Sequence, residues 1–249
     1  MPILQATGIV VRGSDWSETS RIATLFTRDH GRIRVLAKGG RRVNSAFEIS
    51  LDLLNVCEVV FIHKANGSLD LLTEARITER FPMLRANLQT LYAAYYVAEL
   101  LSDGTQDFDP HPELFDAALL VLRRIERDPD WLGAVSQFEL VWLRELGYTP
   151  RVDGCAGCGA VDELALPNGR FAVGLDAGGV LCPRCRPAAR DAWSLSAGAF
   201  AAFAGMLAGE PMPGDVRNEL RPLLGQMVCR TLGRRPKLLS YVEPTRGPT

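Results

Sequence analysis

Over the first eighty residues, apolar and polar positions alternate in short runs. The runs predict five strands, at Gln5–Val11, Ser20–Thr27, Arg32–Lys38, Asn55–Ile62 and Leu69–Glu79. β-branched residues are frequent in them and their lengths suit strands. The second and third are joined by Arg28-Asp29-His30-Gly31, where Gly31 can take positive φ. The fourth and fifth are joined by Lys64-Ala65-Asn66-Gly67-Ser68, and Asn66-Gly67 is a hairpin signal. Five strands in about eighty residues is the size of an OB-type barrel. On count alone an SH3-like barrel fits as well.

After Phe81-Pro82 the apolar period lengthens to three and four. Leu84, Leu88, Leu91, Tyr95, Ala98 and Leu101 predict a helix over Met83–Leu101, ended by Asp103-Gly104. A second helix runs from Pro112 to Arg127 and a third from Trp131 to Leu146, with Gly147 as its C-cap. Residues 152–187 carry few helix signals, and Phe171–Leu175 and Gly179–Cys182 can pair as a short hairpin. Helical period returns at Ser196–Ala208, capped by Ser194 or Ser196, and at Val216–Leu232. The expected fold is therefore multidomain α+β. An N-terminal OB-fold β-barrel (1–81) precedes an all-α domain (82–151 and 188–240), which carries a four-cysteine zinc knob inserted at 152–187.

The 249 residues are 47% hydrophobic and 23% charged, ordinary for a soluble globular protein. No apolar run approaches a membrane span, and the N-terminus lacks the basic region and cleavage site of a signal peptide. Net charge is −1, but its distribution is uneven: residues 1–80 hold 11 basic and 9 acidic side chains, 81–150 hold 5 and 11, and 151–249 hold 12 and 9. The densest basic stretch is Arg28–Arg42, RDHGRIRVLAKGGRR, in which Asp29 is the lone acid. As a strand it turns Ile33, Val35 and Ala37 one way and Arg32, Arg34 and Lys38 the other. A cationic strand face running into a basic loop suits a polyanion backbone; an ordinary solvated face is the alternative. The candidate phosphate contacts are Arg32, Arg34, Lys38, Arg41 and Arg42, with Arg12, Arg21 and Arg28 behind them. Phe26, Trp16 and Phe47 are candidate stacking aromatics, Phe26 favoured as core.

Cys155-Ala-Gly-Cys158 and Cys182-Pro-Arg-Cys185 are two C-x2-C knuckles twenty-three residues apart. Four thiolates at that spacing converge tetrahedrally on one zinc ion, and a closed shell of four makes the metal structural. Cys57 and Cys229 lie in apolar contexts and read as buried small hydrophobes.

The chain has no P-loop, no H-E-x-x-H and no G-x-S-x-G. His30, His63 and His111 are scattered and read as surface or loop residues. Asp107/Asp109 and Asp128/Asp130 flank prolines or helix ends, where capping accounts for them. No acid–base set converges, so an enzyme is not expected.

Gly8-Ile-Val-Val-Arg12, Glu18-Thr-Ser-Arg21, Leu25-Phe-Thr27, Gly31-Arg-Ile33 and Ala37-Lys-Gly-Gly-Arg41 resemble the opening of the bacterial recombination mediator family RecO, and the order of regions agrees. Where that family has an L-Q-P segment this chain has Leu51-Asp-Leu-Leu54. Some members lack the cysteines, consistent with a structural metal. The resemblance implies a cytoplasmic, nucleoid-associated DNA repair protein without enzymatic activity. It would bind single- and double-stranded DNA, anneal complementary strands, and act with RecR and the single-strand-binding protein to load RecA. It also implies that the helical domain takes the single-strand-binding protein's acidic, apolar tail; Arg123, Arg124 and Arg127 are the local cations able to meet it. A zinc-ribbon protein–protein adaptor without direct DNA binding is the competing reading.

Overall fold

The computed structural model describes residues 1–40, 47, 49–64 and 69–243. The chain forms two compact units, Met1–Trp131 and Leu132–Thr249.

In the first unit, β1 (Ile3–Asp15), β2 (Arg21–Thr27), β3 (Gly31–Ala37), β4 (Val56–Ile62) and β5 (Asp70–Glu79) close a barrel in the order β1-β2-β3-β5-β4. The OB alternative is thereby the one realised, with β1 paired on both edges and a parallel β3–β5 contact closing the ring. β1 extends further than its apolar run because it must serve β2 and β4 in turn, and a register shift between Val10 and Arg12 bends it. The interior is apolar: Val10, Leu25, Ile33, Val35, Val59 and Phe61 are almost fully buried, and Leu51, from the β3–β4 connection, plugs it. Each such side chain contributes about 1.5–3 kcal/mol through burial. Cys57 is part of this core, and burial raises its thiol pKa to about 11. The Asn66-Gly67 turn lies outside the described residues.

The first helix, α1 (Leu88–Gly104), starts five residues later than the periodicity suggests. Pro82–Ala86 form a 3-10 turn, and extended Asn87 caps the helix by accepting from the Gln89 N–H at 2.8 Å. α2 spans Pro112–Arg127 as expected. Ile9 and Phe26 are neighbours across β1 and β2 and alternate to the outside of the barrel, yet both are fully buried. The helices lie over them, with the Phe26 and Phe115 rings 6.3 Å apart.

β3 meets β5 only at Val35 and Leu36, so the first half of β3 has an open edge. The α1–α2 connection fills it: the Phe108 N–H donates to the Arg32 carbonyl at 3.0 Å. Gly31 makes this docking possible. It has φ +63, and a Cβ there would lie 2.1 Å from the Asp109 carbonyl oxygen.

In the second unit, α3 (Trp131–Glu145), α4 (Ala197–Leu207) and α5 (Arg217–Leu232) surround a buried Arg221–Glu139 pair. The pair is saturated: Arg221 also donates to Ser136 Oγ and the Val242 carbonyl, each at 3.0 Å. Gly147 ends α3 at φ +82, and Ser196 caps α4 through the Ala199 N–H. Ser194, the other candidate cap, lies in β8 (Ala192–Leu195). That strand joins the expected hairpin of β6 (Phe171–Gly174) and β7 (Gly179–Leu181) to make a sheet of order β7-β6-β8. With four residues it is too short to leave a period in the sequence.

Candidate nucleic-acid interface and metal centre

The predicted alternation of β3 is realised. Ile33, Val35 and Ala37 are fully buried, while Arg32 and Arg34 face outward. Arg12, Thr24 and Arg34 are Cα partners in series, so they form one row across β1, β2 and β3. Lys38 is exposed directly after β3. Among the described residues, Arg12 and Lys38 have no ion-pair partner. Arg34 lies 3.3 Å from Asp107, with its side chain 54% exposed.

The other candidate cations are differently placed. Arg32 donates to Asp107 at 2.7 Å and to the Ser102 carbonyl, and so clamps α1 and the following connection to β3. Arg28 makes two hydrogen bonds to Asp116 of α2, at 3.2 and 3.0 Å, and these raise its pKa. Arg21 lies 3.8 Å from Asp52, in the β3–β4 connection. Arg41 and Arg42 lie outside the described residues. Asp107 is therefore not a helix cap: it is the shared counter-ion of Arg32 and Arg34. Asp128, in contrast, does act as a cap, accepting from the Asp130 N–H at 2.8 Å. Nothing in the sequence around Asp107 pairs it with residues seventy-five positions away.

Of the aromatics, Trp16 is exposed, Phe26 is core, and Phe47 packs partly buried against the barrel interior. Arg123 donates to both carboxylate oxygens of Glu79, at 2.8 and 2.7 Å, and these bonds lower the Glu79 pKa. Arg124 lies 3.2 Å from Asp128, and Arg127 lies 3.9 Å from Glu126. His30 meets the Gln5 carbonyl, His63 meets Asp70, and His111 lies 3.4 Å from Asp109. In the C-terminal basic cluster, Arg235 pairs with Glu243 at 2.6 Å.

Cys155, Cys158, Cys182 and Cys185 converge with all four sulfurs within 4.8 Å of one another. The turn at Cys155 is built for this. Gly159, at φ +78, donates its N–H to the Cys155 carbonyl at 2.8 Å, and a Cβ on Gly157 would crowd Cys185 Sγ at 3.1 Å. The Cys182 N–H donates to Cys155 Sγ at 3.3 Å. Burial opposes ionisation of Cys155, but the N–H groups of Cys182, Cys158 and Gly157 outweigh it and lower the thiol to about 6. Cys185, hemmed in by the sulfurs of Cys158, Cys155 and Cys182, is pushed up to about 12. Four sulfurs this close cannot all ionise without a cation between them. The Cys158–Cys182 separation of 3.8 Å matches the edge of a tetrahedron with metal–sulfur bonds of about 2.3 Å, roughly 3.8 Å. The donor set therefore fits a metal ion. It is also the only group of three or more candidate ligands among the described residues. Its apolar surroundings are small, which is why a cross-link matters there. Cys57 is buried in the barrel core, and Cys229 is half-buried on α5.

An OB barrel followed by a helical region with a four-thiol knob places the chain among modular OB-barrel proteins. Residues 1–81 match the family described as Recombination protein O N terminal, and residues 85–240 match Recombination protein O C terminal. The chain belongs to the RecO family of DNA repair proteins. It is 32% identical to a DNA repair protein RecO of Anaeromyxobacter dehalogenans over 99% of this chain and 100% of that one. It is 44% identical to that of Rhodopirellula baltica over 72% of this chain and 66% of the relative, and 28% identical to that of Myxococcus xanthus over 94% of each. No helix among the described residues is long and apolar enough to cross a membrane.

Proposed function

We propose that the protein is a non-enzymatic recombination mediator. It binds single- and double-stranded DNA through the barrel, anneals complementary strands, and acts in the cytoplasm with RecR and the single-strand-binding protein to load RecA. The observation that carries the DNA-binding reading is the row Arg12–Thr24–Arg34, continued by Lys38, on the outside of an OB-type barrel. Annealing needs two strands held while their charge repulsion is lowered, and no hydrolysis. Arg41 and Arg42, the next cations in the sequence, belong to the same proposed set of phosphate contacts. Arg28 and Arg32 serve it from behind, by fixing the helices to β3. One zinc ion held by Cys155, Cys158, Cys182 and Cys185 cross-links the knob without touching DNA.

The neutralisation of Arg28, Arg32 and Arg123 by acids favours the adaptor as the second reading. Salt titration separates the two. Five phosphate contacts give a log–log slope of about −3 to −4 on single strands, whereas an adaptor shows no DNA affinity at any salt. Changing Arg12, Arg34 and Lys38 together to Ala is expected to lower affinity for single strands and flatten that slope by about 2, with the unfolding temperature kept. Unchanged affinity and slope in that triple variant would remove these residues from the DNA path.

A further inference from the structure

We propose that Phe108, held against His63 and beside Arg34, is a stacking platform for an unpaired nucleobase. The inference rests on the barrel's reading as a DNA-binding surface, and it supplies that surface with a base contact.

Phe108 stands out for how it is held. Its backbone has φ +58, a left-handed conformation that a residue with a bulky side chain rarely adopts. The conformation is fixed from three sides: the Phe108 N–H is bound to the Arg32 carbonyl at 3.0 Å, Asp107 is clamped by Arg32 and Arg34, and the Asp109 backbone packs on Gly31. Such a constraint is ordinarily offset by burying the side chain. Here the residue is 42% exposed. Its ring contact is with the His63 imidazole, at 4.5 Å between centroids and 60° between planes. His63 is itself fixed, with Nδ1 3.1 Å from the carboxylate of Asp70, which is 2% exposed and also accepts from the Lys64 N–H at 2.9 Å. The result is a rigid aromatic surface with one part in water, at the edge of β3 that the α1–α2 connection fills and at the root of the β4–β5 connection.

In OB folds the strand 2–3 face and the loop between strands 4 and 5 receive oligonucleotides. The charge around Phe108 permits this. Asp107 shares its one negative charge between Arg32 and Arg34, so the trio keeps one positive charge. Asp109, which lies 3.4 Å from His111, offsets that charge, so the surroundings of the ring are near neutral and suit an uncharged base. A base face, not a phosphate, meets the ring, while the exposed Arg34 and Lys38 carry the backbone. Stacking tolerates any base, as a mediator without sequence preference requires, but it needs a base whose face is free.

The test uses the full-length protein and oligonucleotides carrying 2-aminopurine, read by fluorescence anisotropy and by quenching of the stacked base. Phe108→Ala is expected to weaken single-strand binding about 5- to 150-fold, the range for loss of one stacked base. It should also abolish quenching, and leave both duplex affinity and the slope of log affinity against log salt unchanged, because no phosphate contact is lost. Phe108→Tyr should bind as the parent does. Phe108→Gly relieves the positive φ, and it should lose binding while unfolding at the parent temperature or above. Parent-like affinity and quenching in Phe108→Ala would overturn the inference, and so would equal losses on duplex and single strand. A parent protein that binds neither form would instead overturn the DNA-binding reading itself.

Discussion

The barrel and the cysteine knob solve the same problem by different means. The barrel closes over a continuous apolar interior, from Val10 and Leu25 to Phe61 and Leu72, and needs no ligand to hold it. In the knob, the buried cluster is Cys155, Ala172, Leu181 and Cys182, so two of its four members are themselves candidate ligands. A sheet of three strands with so little apolar surface does not fold on burial alone. Where the barrel has hydrophobic area, the knob has four converging sulfurs able to hold one cation. The difference predicts that the two respond to different insults.

The largest effect should come from removing the knob's cross-link. Zinc binding by four thiolates supplies about 10–16 kcal/mol in small peptides. Cys158→Ser, or a strong chelator, should therefore unfold the knob and release a stoichiometric metal ion. The circular dichroism of the barrel and its DNA affinity should stay near those of the parent. Full metal content and unchanged melting in Cys158→Ser would erase the contrast.

Next is the buried Arg221–Glu139 pair of the second unit. Glu139→Ala strands a fully buried guanidinium and should cost about 3–5 kcal/mol, seen as a lower midpoint of the second unit in urea. Replacing both residues with apolar side chains of similar size should recover most of it. A comparable loss, about 2–5 kcal/mol, is expected from Leu25→Ala, which leaves a cavity in the barrel. Metal content is the discriminating readout there, and it should not change. A barrel variant that released metal would show that the two regions do not fold independently.

The smallest effect is electrostatic. The hydrogen bonds from Arg123, and then its charge, hold the Glu79 pKa below that of an unfolded glutamate, although burial works the other way. A lowered carboxylate stabilises the fold above its unfolded pKa, and that contribution disappears as pH falls through the folded value. The pair is partly exposed, so it is worth less than about 1 kcal/mol. Glu79→Gln should lower the first unit's stability at pH 8 by less than about 1 kcal/mol, and flatten the acid limb so that the two proteins converge below the usual glutamate range. An unchanged acid limb would mean that Arg123 does not anchor α2 to β5 in solution.

Much of this protein is legible from its residues. The strands β2, β4 and β5 and the helix α2 fall within a residue of where alternation and period place them, because burying one face of each element imposes that period directly. The cysteine spacing likewise announces a converging tetrad, since C-x2-C turns have few ways to fold. The cationic row was legible as a row, but the partners of its members were not. Arg32 and Arg28 look as free as Arg12 in the sequence; they differ because Asp107 arrives from the α1–α2 connection and Asp116 from α2. Phe108 left no signal either, standing between two acids in a connection that periodicity reads as loop.

Local pattern alone therefore determined the elements, the inward and outward faces of β3 and the two C-x2-C turns, since each depends on residues a few positions apart. Tertiary structure decided which cations remain exposed, which aromatic stands at the edge of β3, and that β8 completes the knob's sheet. Those outcomes depend on pairs tens of residues apart in the chain, where a charge is offset or an edge is filled only after the elements have packed.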